Sequence, residues 1–181
     1  MKNARTKFGA PEQGSVRRGR GKWQENSVPD DSGKGIKISP GWSFTLCLLI
    51  VLVVAGFASI YAATGVNSPW YNYVKSTITP PGYVFSIIWT ALYFLLALSM
   101  YLSLISTQGN HRKIVAFLFA LNLFFNGIWS FLFFGLQNSR VAFFDLVLLF
   151  LSTIAIMILM VRTNKNISWL LLPYALWLIF A

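Results

Sequence analysis

The sequence predicts an all-α membrane protein, a five-transmembrane-helix bundle behind a disordered basic N-terminal tail. Three observations carry that expectation. Apolar residues make up 56% of the 181-residue chain and charged residues only 11%, a balance foreign to soluble domains. From Trp42 onward the chain is a succession of charge-free apolar runs divided by short polar turns. One of those runs opens on two prolines and carries an aromatic face, which is a membrane helix with work to do beyond spanning.

Residues 1–41 are rich in Gly, Pro, Ser, Lys and Arg and lack any apolar period, so they read as disordered. They hold nine of the fifteen Lys and Arg and four of the five acids. The run Arg17-Arg18-Gly19-Arg20-Gly21-Lys22-Trp23 has the composition of a nucleic-acid-binding arm. Beside a membrane helix, a cytoplasmic tail held near anionic lipid heads is the stronger reading, and nucleic acid is not an expected partner. The Arg17-Arg18 pair has no hydrophobic segment at the distance a twin-arginine signal needs.

Residues 42–181 form the transmembrane domain. The first span, about 42–64, is 23 residues without a charge, or about 34 Å of helix. That is too long for a signal-peptide core of roughly 7–15 residues. Ala55, Ser59 and Ala63 repeat every fourth residue along it and predict the close approach of another helix. A loop follows with Trp70, Tyr71, Tyr73 and the lone Lys75, read as interfacial.

The second span, about 82–105, starts behind Pro80-Pro81, which suit a helix opening because first-turn N–H groups have no partner inside the helix. Phe85, Trp89, Leu92 and Tyr93 then fall at i, i+4, i+7 and i+8 on one face. Ser106–Lys113 reads as a polar turn that holds the single histidine, His111, as a solvated loop residue. The third span is about 114–136, the fourth about 141–161 after a tight turn at Gln137-Asn138-Ser139-Arg140. Ser168 is the expected cap of a fifth segment, 168–181. At fourteen residues it reaches about 21 Å, short of a hydrocarbon core of about 30 Å. The sequence therefore predicts a chain that stops early, lacking the last third or so of the fifth helix.

With one Cys (Cys47) and one His there is no disulfide framework and no His/Cys metal cluster, so no metal is expected. The N-terminal tail, second loop and fourth loop carry thirteen Lys and Arg against two, Lys75 and Arg140, on the other side. The positive-inside rule then predicts an integral, multi-pass protein with a cytoplasmic N-terminus.

Depth picks out candidate site residues. Trp89 lies about 10 Å inside the second helix, Trp129 about 10 Å and Asn126 about 15 Å from the end of the third, and Asp145 about 8 Å into the fourth. All four share one leaflet. Asn122 and Asn126, at i and i+4, read equally well as interhelical hydrogen-bond partners or as ligand contacts. Asp145 is costly in lipid unless it faces inward. The helix N-terminus favours a carboxylate there, so a structural role is preferred to a site role.

These residues also carry a resemblance. Trp70-Tyr71, Pro80-Pro81, Phe85, Trp89, Leu92 and Tyr93, then Asn126, Trp129, Ser130 and Phe133-Phe134-Gly135, then Ala142, Asp145, Pro173-Tyr174, Trp177 and Ala181, resemble the TspO/MBR family of tryptophan-rich sensory proteins and peripheral-type benzodiazepine (translocator) receptors. The resemblance covers the chain from about Trp42 onward and implies a five-helix bundle, in agreement with the runs above. It also implies a pocket between the helices under the first loop, for porphyrins and, in some members, sterols and benzodiazepine-like drugs. Carried over, it names Trp89, Tyr93, Asn126, Trp129, Tyr174 and Trp177 as ligand-binding. Ile78 departs from the family pattern, where an aromatic is common, as does Asn122 where a Gln is common. The segment read for sterol binding in animal relatives lies beyond Ala181.

The expected function is binding of a flat hydrophobic ligand, a porphyrin or haem precursor, as sensor, carrier or scavenger, with no obligatory cofactor. Two alternatives stay open: light- or oxygen-dependent breakdown of the porphyrin with Trp89 and Trp129 as redox neighbours, and a membrane scaffold that binds no ligand. The resemblance also implies a homodimer.

Overall fold

The computed structural model describes residues 40–76 and 79–181, with side chains from Ser43 onward. The basic tail and Ile78 lie outside the described residues. Six helices account for nearly all the rest: α1 (Pro40–Gly65), α2 (Pro69–Val74), α3 (Gly82–Ser106), α4 (Gly109–Ser130), α5 (Ser139–Val161) and α6 (Lys165–Phe180). Residues Phe131–Gly135 extend α4 as a π turn, and there is no strand among the described residues. Four segments, Ser43–Gly65, Gly82–Ser106, Gly109–Gly135 and Ser139–Val161, are long and apolar enough to cross a membrane. The 16 residues of α6 make a shorter apolar helix.

The four spanning helices and α6 close a ring in which α1 packs on α3, α3 on α6, α6 on α5, α5 on α4 and α4 back on α1. Its interior is lined by Val51, Leu96, Phe119, Leu149, Ile156 and Leu171, all essentially inaccessible. Large apolar side chains also point outward, among them Val53, Phe144 and Ile179. Such a surface belongs to lipid rather than water, so packing and interhelical hydrogen bonds, not burial from water, hold the ring together.

Local signals explain most of the element ends. Pro81 precedes α3, and its carbonyl accepts from the N–H groups of Val84 (2.9 Å) and Phe85 (3.2 Å). Gln137 adopts a left-handed φ of 52° in the turn before α5, and Asn138 Oδ1 caps that helix by accepting from Val141 N.

Several expectations are corrected. The first loop contains α2, opened by Ser68, whose Oγ accepts from Tyr71 N, with Pro69 as first residue. Helix α4 starts at Gly109, so His111 lies in an exposed first helical turn and not in a loop. Ser168 does not cap α6. Asn164 does, through Oδ1 accepting from Asn166 N, while Ser168 Oγ donates to the Met157 carbonyl and ties α6 to α5.

Candidate ligand pocket

The small-residue stripe of α1 faces a cavity and not a helix. Ala55, Ser59 and Ala63 border a cavity of about 1110 Å³ whose walls are α1 and α3, with α2 and the loop after it above and the end of α4 behind. The neighbours of α1 change along its length. Near its start, Phe44 meets Phe94 and Tyr101 of α3 edge-on at 6.4 and 5.6 Å. At its other end α1 leans on the π turn instead. Tyr61 packs edge-on against Phe131 at 5.2 Å. A Cβ on Gly65 would run into the Phe134 side chain, and one on Gly135 would come within 3.0 Å of Tyr61. Two glycines thus let the end of α1 pack closely on the π turn, and the slot lies between α1 and α3 beside that contact.

The inner side of the slot is aromatic. Phe85, Trp89 and Tyr93 succeed one another along α3, with ring centroids 6.0 and then 5.4 Å apart. Trp129 faces the slot from α4, stacked on Phe133 at 5.0 Å and 7° and edge-on to Phe134 at 6.0 Å. The outer rim consists of exposed residues of the two helices: Leu52, Ser59 and Ala63 on α1, Ser86, Thr90 and Phe94 on α3. These rim residues lie within the spanning segments, so the slot opens sideways, toward lipid. The rim hydroxyls are turned in on their own helices: Ser59, Ser86 and Thr90 donate to the carbonyls of Ala55, Gly82 and Ser86.

Of the residues expected to bind ligand, Trp89, Tyr93 and Trp129 line this slot. Asn126 and Tyr174 stand one layer behind it. The Tyr93 hydroxyl donates to Asn126 Oδ1 (2.8 Å), and Asn126 Nδ2 donates to the Tyr174 oxygen (2.9 Å). Tyr174 in turn donates to Asn122 Oδ1 at a long 3.5 Å, and Asn122 Nδ2 donates to Ser152 Oγ and Thr153 Oγ1, both at 2.9 Å. A buried polar chain therefore runs from the slot wall on α3 through α4 and α6 to α5. The Asn122–Asn126 pair is interhelical hydrogen-bonding in this structure, and Asn126 fixes the ring of Tyr93 by accepting from its hydroxyl.

Trp177 lies on the other side of α3. It meets Phe85 at 6.0 Å and borders a shallower groove of about 520 Å³ with Pro80, Ile88, Leu92, Pro173 and Phe180. Asp145 is buried on α5, away from the slot lining, and its Oδ2 has no hydrogen-bond partner.

The residues that sequence reasoning missed are the α1 wall (Leu48, Val51, Ala58, Ala62) and, from the loop side, Tyr71 and Lys75. The four-residue repeat of small side chains on α1 was the signal for the α1 wall, since it marks a face on which something must come close.

Residues 44–181 match the model of the TspO/MBR family. The chain is 36% identical over 135 residues to the tryptophan-rich protein TspO of Archaeoglobus fulgidus, covering 74% of this chain and 86% of that one. It is 34% identical over 117 residues to the tryptophan-rich protein TspO of Bacillus cereus, covering 64% and 76%. It is 29% identical over 147 residues to the translocator protein of Ovis aries, covering 80% and 87%.

Proposed function

Since the chain belongs to the TspO/MBR family, we propose that its α1–α3 slot binds a flat hydrophobic ligand, a porphyrin foremost, and delivers or reports it as a carrier, sensor or scavenger. The observation that carries this reading is the aromatic wall of Trp89, Tyr93 and Trp129 around one cavity of about 1110 Å³. Ligand pockets run to roughly 300–1,000 Å³ and are lined mainly by apolar and aromatic groups with a few placed polar ones. A cavity just above that range, narrow between two helices and faced with indole and phenol rings, suits a broad, thin molecule better than a compact one. The sideways mouth supports exchange of that ligand with the bilayer, where a porphyrin partitions.

In this reading the protein holds the pigment unchanged, and the N-terminal face of the bundle is cytoplasmic, as thirteen Lys and Arg against two argue. Fluorescence quenching by protoporphyrin IX, with the protein in lipid nanodiscs, tests the binding. Aromatic contacts contribute about 0.5–1.5 kcal/mol beyond area burial, so Trp129→Leu weakens a saturable titration by roughly threefold to tenfold. Absence of saturable quenching by the wild type removes the porphyrin reading. Chromatographic recovery of the pigment after illumination tests the claim that it is held intact, and loss of pigment matched to a new product would favour breakdown.

A further inference from the structure

We propose that Lys75 is the residue that receives the ligand's carboxylate at the outer end of the slot, so that a flat acid-bearing hydrophobe lies with its charged edge under the first loop and its rings deeper between α1 and α3. This rests on the slot being the ligand site, and it deepens that reading by fixing the ligand's charge and orientation. Among the described residues, Lys75 is the only charged one in the slot lining. It stands just past the end of α2, beside the rim and across from the first turn of α3. Trp89 lies seven residues into α3, about 10 Å deeper. Polarity therefore falls along the slot, from Asn67, Lys75 and Thr79 at the top, through the indole and phenol rings, to Leu48 and Val51 at the bottom.

The ammonium group is already positioned. Its Nζ donates to Asn72 Oδ1 at 2.8 Å and lies 6.0 Å from the centroid of the Tyr71 ring. Burial raises the Tyr71 phenol above its ordinary range. An ammonium has three donors, and Asn72 takes one, which leaves two for an acceptor in the slot. No acid of the protein answers this charge among the described residues, where the one carboxylate, Asp145, is buried on α5 outside the slot lining. Lys75 also lies on the side of the bundle that the positive-inside rule leaves poor in cations, so orientation in the membrane gives no reason for it. An acid at the edge of a planar body supplies the missing countercharge while its rings meet Trp89, Tyr93 and Trp129.

The test compares protoporphyrin IX with its dimethyl ester, which keeps the macrocycle and removes both charges, by quenching titration of the full chain in nanodiscs. An exposed ion pair of this kind raises the wild type's acid-to-ester binding ratio by about twofold to fivefold. Lys75→Gln lowers the acid-to-ester ratio by that factor, Lys75→Glu lowers it further, and Lys75→Arg keeps it. Comparing the ratio between variants cancels the different partitioning of the two pigments and any general loss of folding. A ratio that Lys75→Gln leaves as it was, with both pigments still bound, overturns the subsite while the pocket stands. If neither pigment binds the wild type saturably, the pocket reading fails and the subsite falls with it.

Discussion

Asn126 is where the slot wall is tied to the rest of the bundle, and its removal has a calculable cost. Its side chain is 2% exposed and makes two interhelical hydrogen bonds, accepting from Tyr93 on α3 and donating to Tyr174 on α6. Interhelical bonds inside membranes average about 0.6 kcal/mol and reach about 1.7. Two of them, with the cavity left by the shortened side chain, bring the cost of Asn126→Ala to about 2 kcal/mol. Tyr93→Phe removes one of the same bonds and leaves the ring in place, at a cost of about 1 kcal/mol. The double variant therefore costs less than the sum, with a coupling of about 1 kcal/mol, because the shared bond is counted twice in the single variants. Reversible unfolding in mixed micelles with rising SDS fraction, followed by circular dichroism, measures all four corners of the cycle. Costs that add to within about 0.3 kcal/mol, the behaviour of independent sites, would refute the Tyr93–Asn126 contact.

Two further outcomes follow from the packing and the topology. Gly65→Val drives a side chain into Phe134 and costs about 1–3 kcal/mol by overpacking, whereas Gly56→Ala, where an added Cβ meets nothing within 4 Å, changes stability by no more than about 1 kcal/mol; equal effects at the two sites would refute the close α1–π-turn contact. For orientation, Tyr73→Cys in α2 reacts with a membrane-impermeant maleimide in intact cells and Gln108→Cys, between α3 and α4, only after permeabilisation, with the buried Cys47 giving little background; the reverse pattern would place the N-terminal face outside.

The sequence made some of this architecture legible and hid the rest for identifiable reasons. Charge-free runs set the five apolar helices, because a membrane tolerates few charges along a span. Pro80-Pro81 marked the start of α3, and Gln137-Asn138 the turn before α5, because their backbone preferences are local. Helix α4 begins five residues ahead of its apolar run, since Gly109–Lys113 are helical outside the apolar layer, where hydrophobic periodicity is silent. The six residues of α2 are too few to show any period.

At the site, depth was legible and azimuth was not. Counting residues from a helix end places Trp89, Asn126, Trp129 and Asp145 at related levels, but it does not say which way each side chain points around the axis. Trp129, three residues beyond Asn126 on the same helix, reaches the slot, while Asn126 bonds behind it and Asp145 is buried elsewhere. The α1 stripe was visible, yet a run of small residues predicts close approach equally for a helix or a ligand. Only the lean of α1 on the π turn, through Tyr61, Gly65 and Gly135, decides for the slot.

Filling the slot tests ligand binding most directly, because it leaves every aromatic residue in place. Ala55 borders the cavity from α1, half-buried, and Ala55→Trp projects an indole into the space between α1 and α3. A quenching titration with protoporphyrin IX in nanodiscs then loses saturable binding by tenfold or more, in a protein whose circular dichroism matches the wild type. Saturable binding of wild-type strength by the filled protein would contradict a ligand site between α1 and α3.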